Sequence, residues 1–485
     1  MNALPNTRPF QMRAANERAA LAQQVPAAVP VKPSVPVPQL PPSEAPMQGP
    51  AHKQLANQLH LTHGAHNALS FPLSQFQGEW TGVGFNMIFR PRPFDATKTK
   101  FDFANPNGPN DNILELNLTK EQWSFGQTLG SIANRGLGAQ QDIFLGGIPY
   151  LQTVQNVTNP LTGLGDKDIK NPDEPDAGLH FEPGVWLFCP PSGPNAASIA
   201  RMGCVPHGTS FTAQGLVPAE TKTDKTPLGG TQGKPIFEKL DTTPFRLHDP
   251  DSKVEFADTF KSMTADVNTL REPSNLGPFA KKGTINPDII KNPNLVLKAV
   301  TDLQRIQETI SFSVSTGPPQ AQLNGGGTSN ISFLAGPQAR QPFPPPSSTT
   351  STTKTASALF PTNSNPGLHD NPNAHADFLT NRWWIYSVLY DVPVGTTGMK
   401  PNETRELSAV LPPNCRAPAP RFHITAAREI KPDETLQVPG FQMQYSQTVN
   451  LNFGPREIGV LTWPHVSVAT LVPTRAQPFT VSSLK

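Results

Sequence analysis

Short runs rich in β-branched and aromatic residues, separated by Gly, Pro and Asn, recur along the chain after residue 70. Such runs are typical of strands, and no helical segment separates most of them. We therefore expect an antiparallel sheet. About a dozen strands in one sheet favour closure into a barrel, because closure removes exposed edges. The predicted strands are 78–90, 112–119, 122–127, 141–154, 179–188, 199–214, 309–315, 329–334, 382–391, 420–426, 436–452 and 458–472.

One helix interrupts this pattern. Asn294 is a candidate N-cap for a helix over 295–308, because its side chain can accept a hydrogen bond from the first helical turn. Helical spacing predicts an apolar stripe made of Leu295, Ala299, Leu303 and Ile306.

The proline content shapes the expected domain organisation. The chain has 485 residues with 56 Pro and 36 Gly, and Pro is poorly tolerated inside regular elements. Residues 1–69 are predicted to be a disordered Pro/Ala-rich arm with short helices. Residues 70–485 are predicted to form one mainly-β domain, a closed antiparallel barrel of about ten to twelve strands with a few short helices. Long insertions are expected at 216–300 and 339–374.

Alternation along the first strand separates two faces. One face carries Gly82 and Gly84, which we expect to leave open volume beside their larger neighbours Trp80, Asn86 and Ile88. The opposite face is also apolar, so we expect the insertions to cover part of the outside. A two-sheet sandwich would also have apolar inner faces, and this alternative stays open.

The last predicted strand carries a histidine among small and apolar residues. Trp463, His465, Ser467 and Ala469 share one face. Neutral imidazole is the commonest metal ligand, and small neighbours leave the clearance that a flat iron porphyrin needs. The competing interpretation is a core histidine satisfied by a backbone carbonyl.

A second histidine lies on the strand at 179–188. His180 and Glu182 point to the same face, together with Gly184 and Trp186. Such a pair can act as acid and base or tune a ligand's chemistry. The alternative is a polar pair at the rim of the barrel.

Three segments, taken together and in order, resemble the calycin superfamily of lipocalins and fatty-acid-binding proteins, and within it the nitrobindins. The first segment is a Gly-x-Trp triplet, the second a His-x-Glu-x-Gly pattern, and the third a His at the head of the final strand. In this chain they are Gly78-x-Trp80, His180-x-Glu182-x-Gly184 and His465. The chain departs from nitrobindins in its much greater length and in its N-terminal arm.

The resemblance implies a haem b cofactor, with His465 as the axial iron ligand and His180 as a pocket residue that does not bind iron. His207, in a Pro-His-Gly-Thr turn, is a candidate distal contact or a solvated loop residue. If the protein is an enzyme, the resemblance implies peroxidase-like or peroxynitrite-isomerising activity, with His180 and Glu182 as catalytic residues. The expected pocket residues are Trp80, Gly82, Gly84, His180, Trp186, His207, Trp463 and His465.

Two other functions fit the same pattern. An apolar-lined barrel can carry an apolar small molecule without metal or chemistry. A structural or assembly protein would use its Pro/Thr-rich loops and its arm for contacts.

The charge balance and the cysteine spacing limit the classes of partner and metal site that the sequence predicts. The 39 basic and 37 acidic residues give a net charge of +2, which is not the basic footprint of a nucleic-acid-binding protein. We find no apolar stretch long enough to span a bilayer and no secretory signal pattern, so we expect a cytoplasmic protein. Cys189, Cys204 and Cys415 show no CxxC spacing, which disfavours a zinc site.

Overall fold

A computed structural model describes 72–91, 112–137, 141–169, 178–192, 196–205, 209–217, 235–240, 242, 246–247, 270–272, 275–316, 328–330, 375–452 and 461–481. The predicted arm at 1–69 and the predicted insertion at 339–374 lie outside these residues.

Strands dominate the described residues. In chain order they are β1 (Gly78–Pro91), β2 (Asn112–Phe125), β3 (Ile132–Asn134), β4 (Ile143–Asn156), β5 (Gly178–Cys189), β6 (Ser198–Val205), β7 (Thr209–Leu216), β8 (Arg246–Leu247), β9 (Leu270–Glu272), β10 (Ile306–Ser315), β11 (Thr328–Asn330), β12 (His375–Pro393), β13 (Thr404–Ser408), β14 (Arg421–Ala426), β15 (Thr435–Asn452), β16 (Leu461–Pro473) and β17 (Gln477–Val481). The helices are α1 (Gly277–Lys282), α2 (Pro287–Lys291) and α3 (Asn294–Asp302), and a 3-10 turn spans Leu73–Gln75.

Ten of these strands close into an antiparallel barrel. Their order around the barrel is β1, β2, β4, β5, β6, β7, β10, β12, β15 and β16. The pairing of β1 with β16 joins the first strand to the last, and the β2–β4 pairing bridges the two parts of the sheet. The predicted fold class is therefore confirmed, and the sandwich alternative is wrong.

The barrel wall separates two apolar cores. The inner core contains Trp80, Trp123, Trp186, Trp383 and Tyr445 from alternate positions of their strands. The outer core uses the opposite faces of β1, β2, β12 and β16, where residues such as Phe85 and Val468 are fully buried. Both faces of these strands are apolar because both are covered by protein.

Two layers cover the outer core. One consists of helices α1 to α3, which contribute Phe279, Ile290 and Leu297. The other is a small sheet in which β14 pairs with β13 and with β17, and it contributes Phe422 and Val481. The expectation that insertions cover the outside is confirmed for the helical part of 216–300. No helix among the described residues is long and apolar enough to cross a membrane.

The predicted helix was wrong in its end, its cap and its stripe. Helix α3 ends at Asp302, and Ile306 already begins β10. Asn294 is the first helical residue, and its side-chain amide donates to Glu238 O (2.7 Å) instead of receiving a cap hydrogen bond. Leu303 is exposed, whereas Leu297 and Val300 face the barrel, so the buried stripe is rotated from the predicted one.

Two strand predictions were wrong in how they divide the chain. The runs 112–119 and 122–127 form the single strand β2, and the run 199–214 is the hairpin of β6 and β7. Lys120 points outward and is exposed, so the charged pair at 120–121 does not interrupt the strand.

The β7–β10 seam is the weakest pairing in the barrel wall that the structure describes. These strands share one register pair, Ser315 with Gln214. Next to it, a β-carbon on Gly215 would overlap the carbonyl oxygen of Ser313. Only glycine lets the two backbones approach this closely.

We predict that Gly215→Ala destabilises the protein by roughly 1–3 kcal/mol, the range for overpacking that rotamer changes cannot relieve. Chemical denaturation compares its unfolding midpoint with that of wild type. Gly178→Ala on β5 is the matched control, since a β-carbon there meets no atom within 4 Å. Equal midpoints for both variants would contradict the close approach at this seam.

Candidate functional site

A buried arginine occupies the centre of the barrel. Arg201 on β6 has no solvent exposure. Its Nη2 donates to Glu182 Oε1 (2.7 Å), its Nε to the Tyr150 hydroxyl (3.0 Å) and its Nη1 to Gln447 Oε1 (2.6 Å). One side chain therefore links β4, β5, β6 and β15 across the interior.

Aromatic rings surround the same guanidinium. Its central carbon lies 5.3 Å from the ring centroids of Trp123, Tyr150 and Phe211, and 5.9 Å from that of Trp186. Cation–π attraction is strongest where water is excluded. These rings replace part of the solvation that Arg201 loses on burial.

Glu182 is held as a carboxylate. Its Oε1 accepts from Arg201 and from the Tyr150 hydroxyl, and its Oε2 accepts from His180 Nε2 (3.0 Å). Burial alone would raise the pKa of Glu182, but the positive charge of Arg201 and the hydrogen bond from His180 lower it to about 2. Because Glu182 is fully buried, the pair with His180 is not a polar rim pair.

A second carboxyl lies in the same interior. Glu121 on β2 is almost fully buried. Its Oε2 accepts from the Tyr445 hydroxyl (2.8 Å), from Trp123 Nε1 (3.3 Å) and from Gln152 Nε2 (3.4 Å). Burial raises the pKa of Glu121, and these three donors oppose the rise only in part. The two glutamates therefore differ sharply in acidity although one network joins them.

The two buried tyrosines remain protonated. Burial raises the pKa of Tyr150 and Tyr445 well above the usual range for a phenol. Each hydroxyl donates to a carboxylate, Tyr150 to Glu182 and Tyr445 to Glu121. Both act as hydrogen-bond donors of fixed orientation and not as bases.

His465 faces the same interior on β16, two residues before Ser467 and on the same strand face. Asn86 Nδ2 donates to His465 Nε2 (2.8 Å) and to Ser467 Oγ (2.8 Å). Asn86 Oδ1 in turn accepts from Asn117 Nδ2 (3.3 Å). An amide nitrogen can only donate, so His465 Nε2 carries a lone pair. His465 thus pairs with a side-chain amide through Nε2.

The interior consists of three layers along the barrel axis. The aromatic plug closes one end and comprises Phe76, Trp80, Trp186, Phe312 and Trp383. The ionic layer comprises Glu121, Tyr150, Gln152, Glu182, Arg201, Tyr445 and Gln447. The histidine end lies beyond the ionic layer and comprises Asn86, Asn117, His180, His465 and Ser467.

The structure brings His180 and His465 to the same end but separates both from Trp80 and Trp186. Trp80 pairs with Pro473 and Ile88 pairs with His465, so eight residues, about 26 Å measured along the strand, separate Trp80 from the partner of His465. Trp186 packs against Phe76, with ring centroids 5.6 Å apart, inside the plug. The predicted pocket is therefore not one continuous site.

The expected open volume at Gly82 and Gly84 is wrong. A β-carbon on Gly82 would overlap the Leu471 side chain, and one on Gly84 would overlap the Val468 carbonyl oxygen and crowd the Ala469 side chain. The space in front of both glycines is filled by β16, the neighbouring strand. Trp463 pairs with Leu451 in the backbone register, but its side chain lies outside the described part, as does the whole of His207.

Sequence reasoning missed Glu121, Tyr150 and Gln152. A continuous strand over 112–125 would have placed Glu121 on the face of Trp123, and alternation along 141–154 places Tyr150 and Gln152 together. The sequence pattern likewise assigned no role to Arg201 or Tyr445. Among the described residues, no group of three or more His, Cys, Asp or Glu side chains is arranged to hold a metal ion.

We predict that Arg201→Met destabilises the protein by about 3–5 kcal/mol, because Glu182 is left as an unpaired buried charge. Adding Glu182→Gln to this variant removes that charge and should restore part of the loss. Urea unfolding of the two single variants and the double variant measures the coupling free energy. Additive losses would contradict a direct ion pair.

Acid should weaken the protein through Glu182. Its pKa is lowered from 4.5 to about 2, so its stabilising contribution is present above pH 4.5 and is lost as the pH falls toward 2. The linked free energy is about 3 kcal/mol. Unfolding free energies measured across this window should fall by about that amount more in wild type than in Glu182→Gln. Parallel curves would contradict the lowered pKa.

Comparisons with known proteins do not assign a family. No family model matches the chain, and no curated protein matches its sequence. A solved structure described as "Crystal Structure of Rv2717c from M. tuberculosis" aligns over 84% of this chain and 100% of that chain, with 8% sequence identity and a TM-score of 0.25. A likeness this slight carries no argument, so the barrel rests on its own strand pairing.

Proposed function

We propose that this barrel binds haem b at its histidine end, with His465 as the axial iron ligand. The observation that carries the proposal is the half-buried His465 ring on the inner barrel face with a lone pair at Nε2. Iron in haem proteins is commonly held by one such neutral imidazole.

The histidine end fits an axial donor. The amide of Asn86 donates to His465 Nε2 and also to Ser467. If His465 gave up its hydrogen bond with Asn86 to bind iron, the Asn86 amide would keep Ser467 as its acceptor. No buried amide would then lack a hydrogen-bond partner. Ala469 and Ser467 are small and lie below the imidazole on the same strand face.

His180 would supply the proton-handling group of this site. Its side chain is 15% exposed, and its Nε2 is hydrogen-bonded to Glu182 Oε2, which fixes the orientation of the ring. A histidine oriented by a buried carboxylate is suited to move protons to and from a bound ligand. Bound haem would supply a site for a diatomic gas or for activation of peroxide or peroxynitrite.

The filled interior disfavours the apolar carrier. A lipid-sized ligand needs an empty apolar lumen, whereas the middle of this barrel holds Arg201, Glu182 and Trp123 with essentially no exposure. A flat ligand that lies across the histidine end requires no volume below the ionic layer. The geometry therefore favours haem over a long aliphatic ligand.

We predict that haemin added to the purified full chain gives a shifted Soret band, and that His465→Ala abolishes the shift. The reason is loss of the axial nitrogen. Absorbance titration measures both. His423→Ala is the matched control, since His423 lies half exposed on β14, in the small sheet outside the barrel.

A Soret shift that is the same in wild type, His465→Ala and His423→Ala would mean that haem binds elsewhere or non-specifically. The absence of any shift in wild type would also end the proposal.

A further inference from the structure

The charges of the ionic layer do not balance without one more proton. Arg201 stays protonated and Glu182 is ionised, so this pair is neutral together. Glu121 remains, and an ionised Glu121 would leave the ionic layer with a net negative charge. An unpaired charge in a low-dielectric interior costs several kcal/mol.

Glu121 receives only neutral donors among the described residues. Its Oε2 accepts from Tyr445, Trp123 and Gln152, and its Oε1 has a long contact of 3.4 Å with the Thr119 hydroxyl. No Lys or Arg side chain in the described part of the chain contacts it. These neutral donors are compatible with either protonation state of Glu121, because a proton on Oε1 can be donated to the hydroxyl oxygen of Thr119.

A continuous set of hydrogen bonds joins Glu121 to His180. Gln152 donates to Glu121 and to the Tyr445 hydroxyl (3.0 Å), and its own oxygen accepts from Arg201 (3.5 Å). Arg201 contacts Glu182, which accepts from His180. His180 is the titratable member of this set that reaches the histidine end.

We propose that Glu121 and His180 share one exchangeable proton, which makes Glu121 a proton store for the His180–Glu182 pair. In one state the O–H bond is on Glu121 and His180 is neutral. In the other state that bond is broken, Glu121 is a carboxylate and His180 carries the proton. In each state the ionic layer and His180 together carry no net charge. One proton is therefore shared between the two sites.

Among the residues that the structure describes, the groups around Glu121 leave these two sites as the ones that exchange. Tyr150 from β4, Glu182 from β5, Arg201 from β6 and Tyr445 from β15 face Glu121, and each keeps its protonation state at neutral pH. The inner face of β1 presents no titratable side chain at its described positions. On β4, His180 pairs with the non-titratable Val154, and Glu115 of β2 and His465 of β16 lie on other strands.

The test is a histidine titration by NMR on the full chain without haem, labelled at histidine and assigned with His180→Gln. In Glu121→Gln the apparent pKa of His180 should fall by roughly one unit, because an ionised Glu121 no longer favours the imidazolium. Tyr445→Phe keeps the carboxyl but removes a donor to its ionised form. It should lower the His180 pKa in the same direction by less.

Glu79→Gln is the control, since Glu79 lies exposed on the outer face of β1. Infrared difference spectra report the second site directly, because a protonated carboxyl band should appear at acidic pH and be missing in Glu121→Gln. Identical His180 titrations in wild type and Tyr445→Phe, or a Glu121 carboxyl that never protonates, would overturn the proposal. Tyr445→Phe decides the matter if Glu121→Gln does not fold. Haem binding is not part of this experiment, so its failure is separate from a failure of the proposed function.

Discussion

The guanidinium of Arg201 is the constraint on which the barrel interior depends. A fully buried cation is tolerated only where a carboxylate and further acceptors surround it. Glu182, Tyr150 and Gln447 meet that requirement from three other strands. Because these strands lie on different sides of the barrel, the charge can be satisfied only when the barrel is closed in the correct register. The ion pair therefore favours the correct strand register in the barrel, in addition to any net contribution to stability.

The ionic layer around Arg201 separates two chemically different parts of the interior. Below the ionic layer, the aromatic rings of the plug pack against one another, for example Phe76 against Trp383 with centroids 5.3 Å apart. Above it, the inner face carries amides, a hydroxyl and two histidines. A ligand that enters from the histidine end meets a floor of fixed dipoles and one carboxylate. The described interior therefore has polar groups at the histidine end and packed aromatic rings at the opposite end.

Alternation along single strands was sufficient to predict the faces, since Trp80, Asn86, Glu182 and His465 all lie on the inner wall as expected. It was not sufficient to predict the contents of the interior, because contacts such as Tyr445 with Glu121 join positions 324 residues apart. Gly82 illustrates the limit: its lack of a side chain suggested open space, whereas Leu471 of the next strand fills it. His465 could be singled out from the sequence because small neighbours mark it within its own strand. Arg201 was not identified as the centre, because a charge on a strand normally predicts an outward position.

The outer layers follow from the same two-sided pattern. β1 and β16 are apolar on both faces, so a bare barrel would expose residues such as Phe85 and Val468 to water. Helices α1 to α3 and the sheet of β13, β14 and β17 come from the connections before β10, between β12 and β15, and after β16, and they bury these faces. The insertions thus complete the hydrophobic core and are not additions to a finished barrel. These layers cover the outer wall, whereas the side chains of the two histidines lie on the inner faces of their strands. The insertions and the polar residues of the interior therefore occupy opposite faces of the barrel wall.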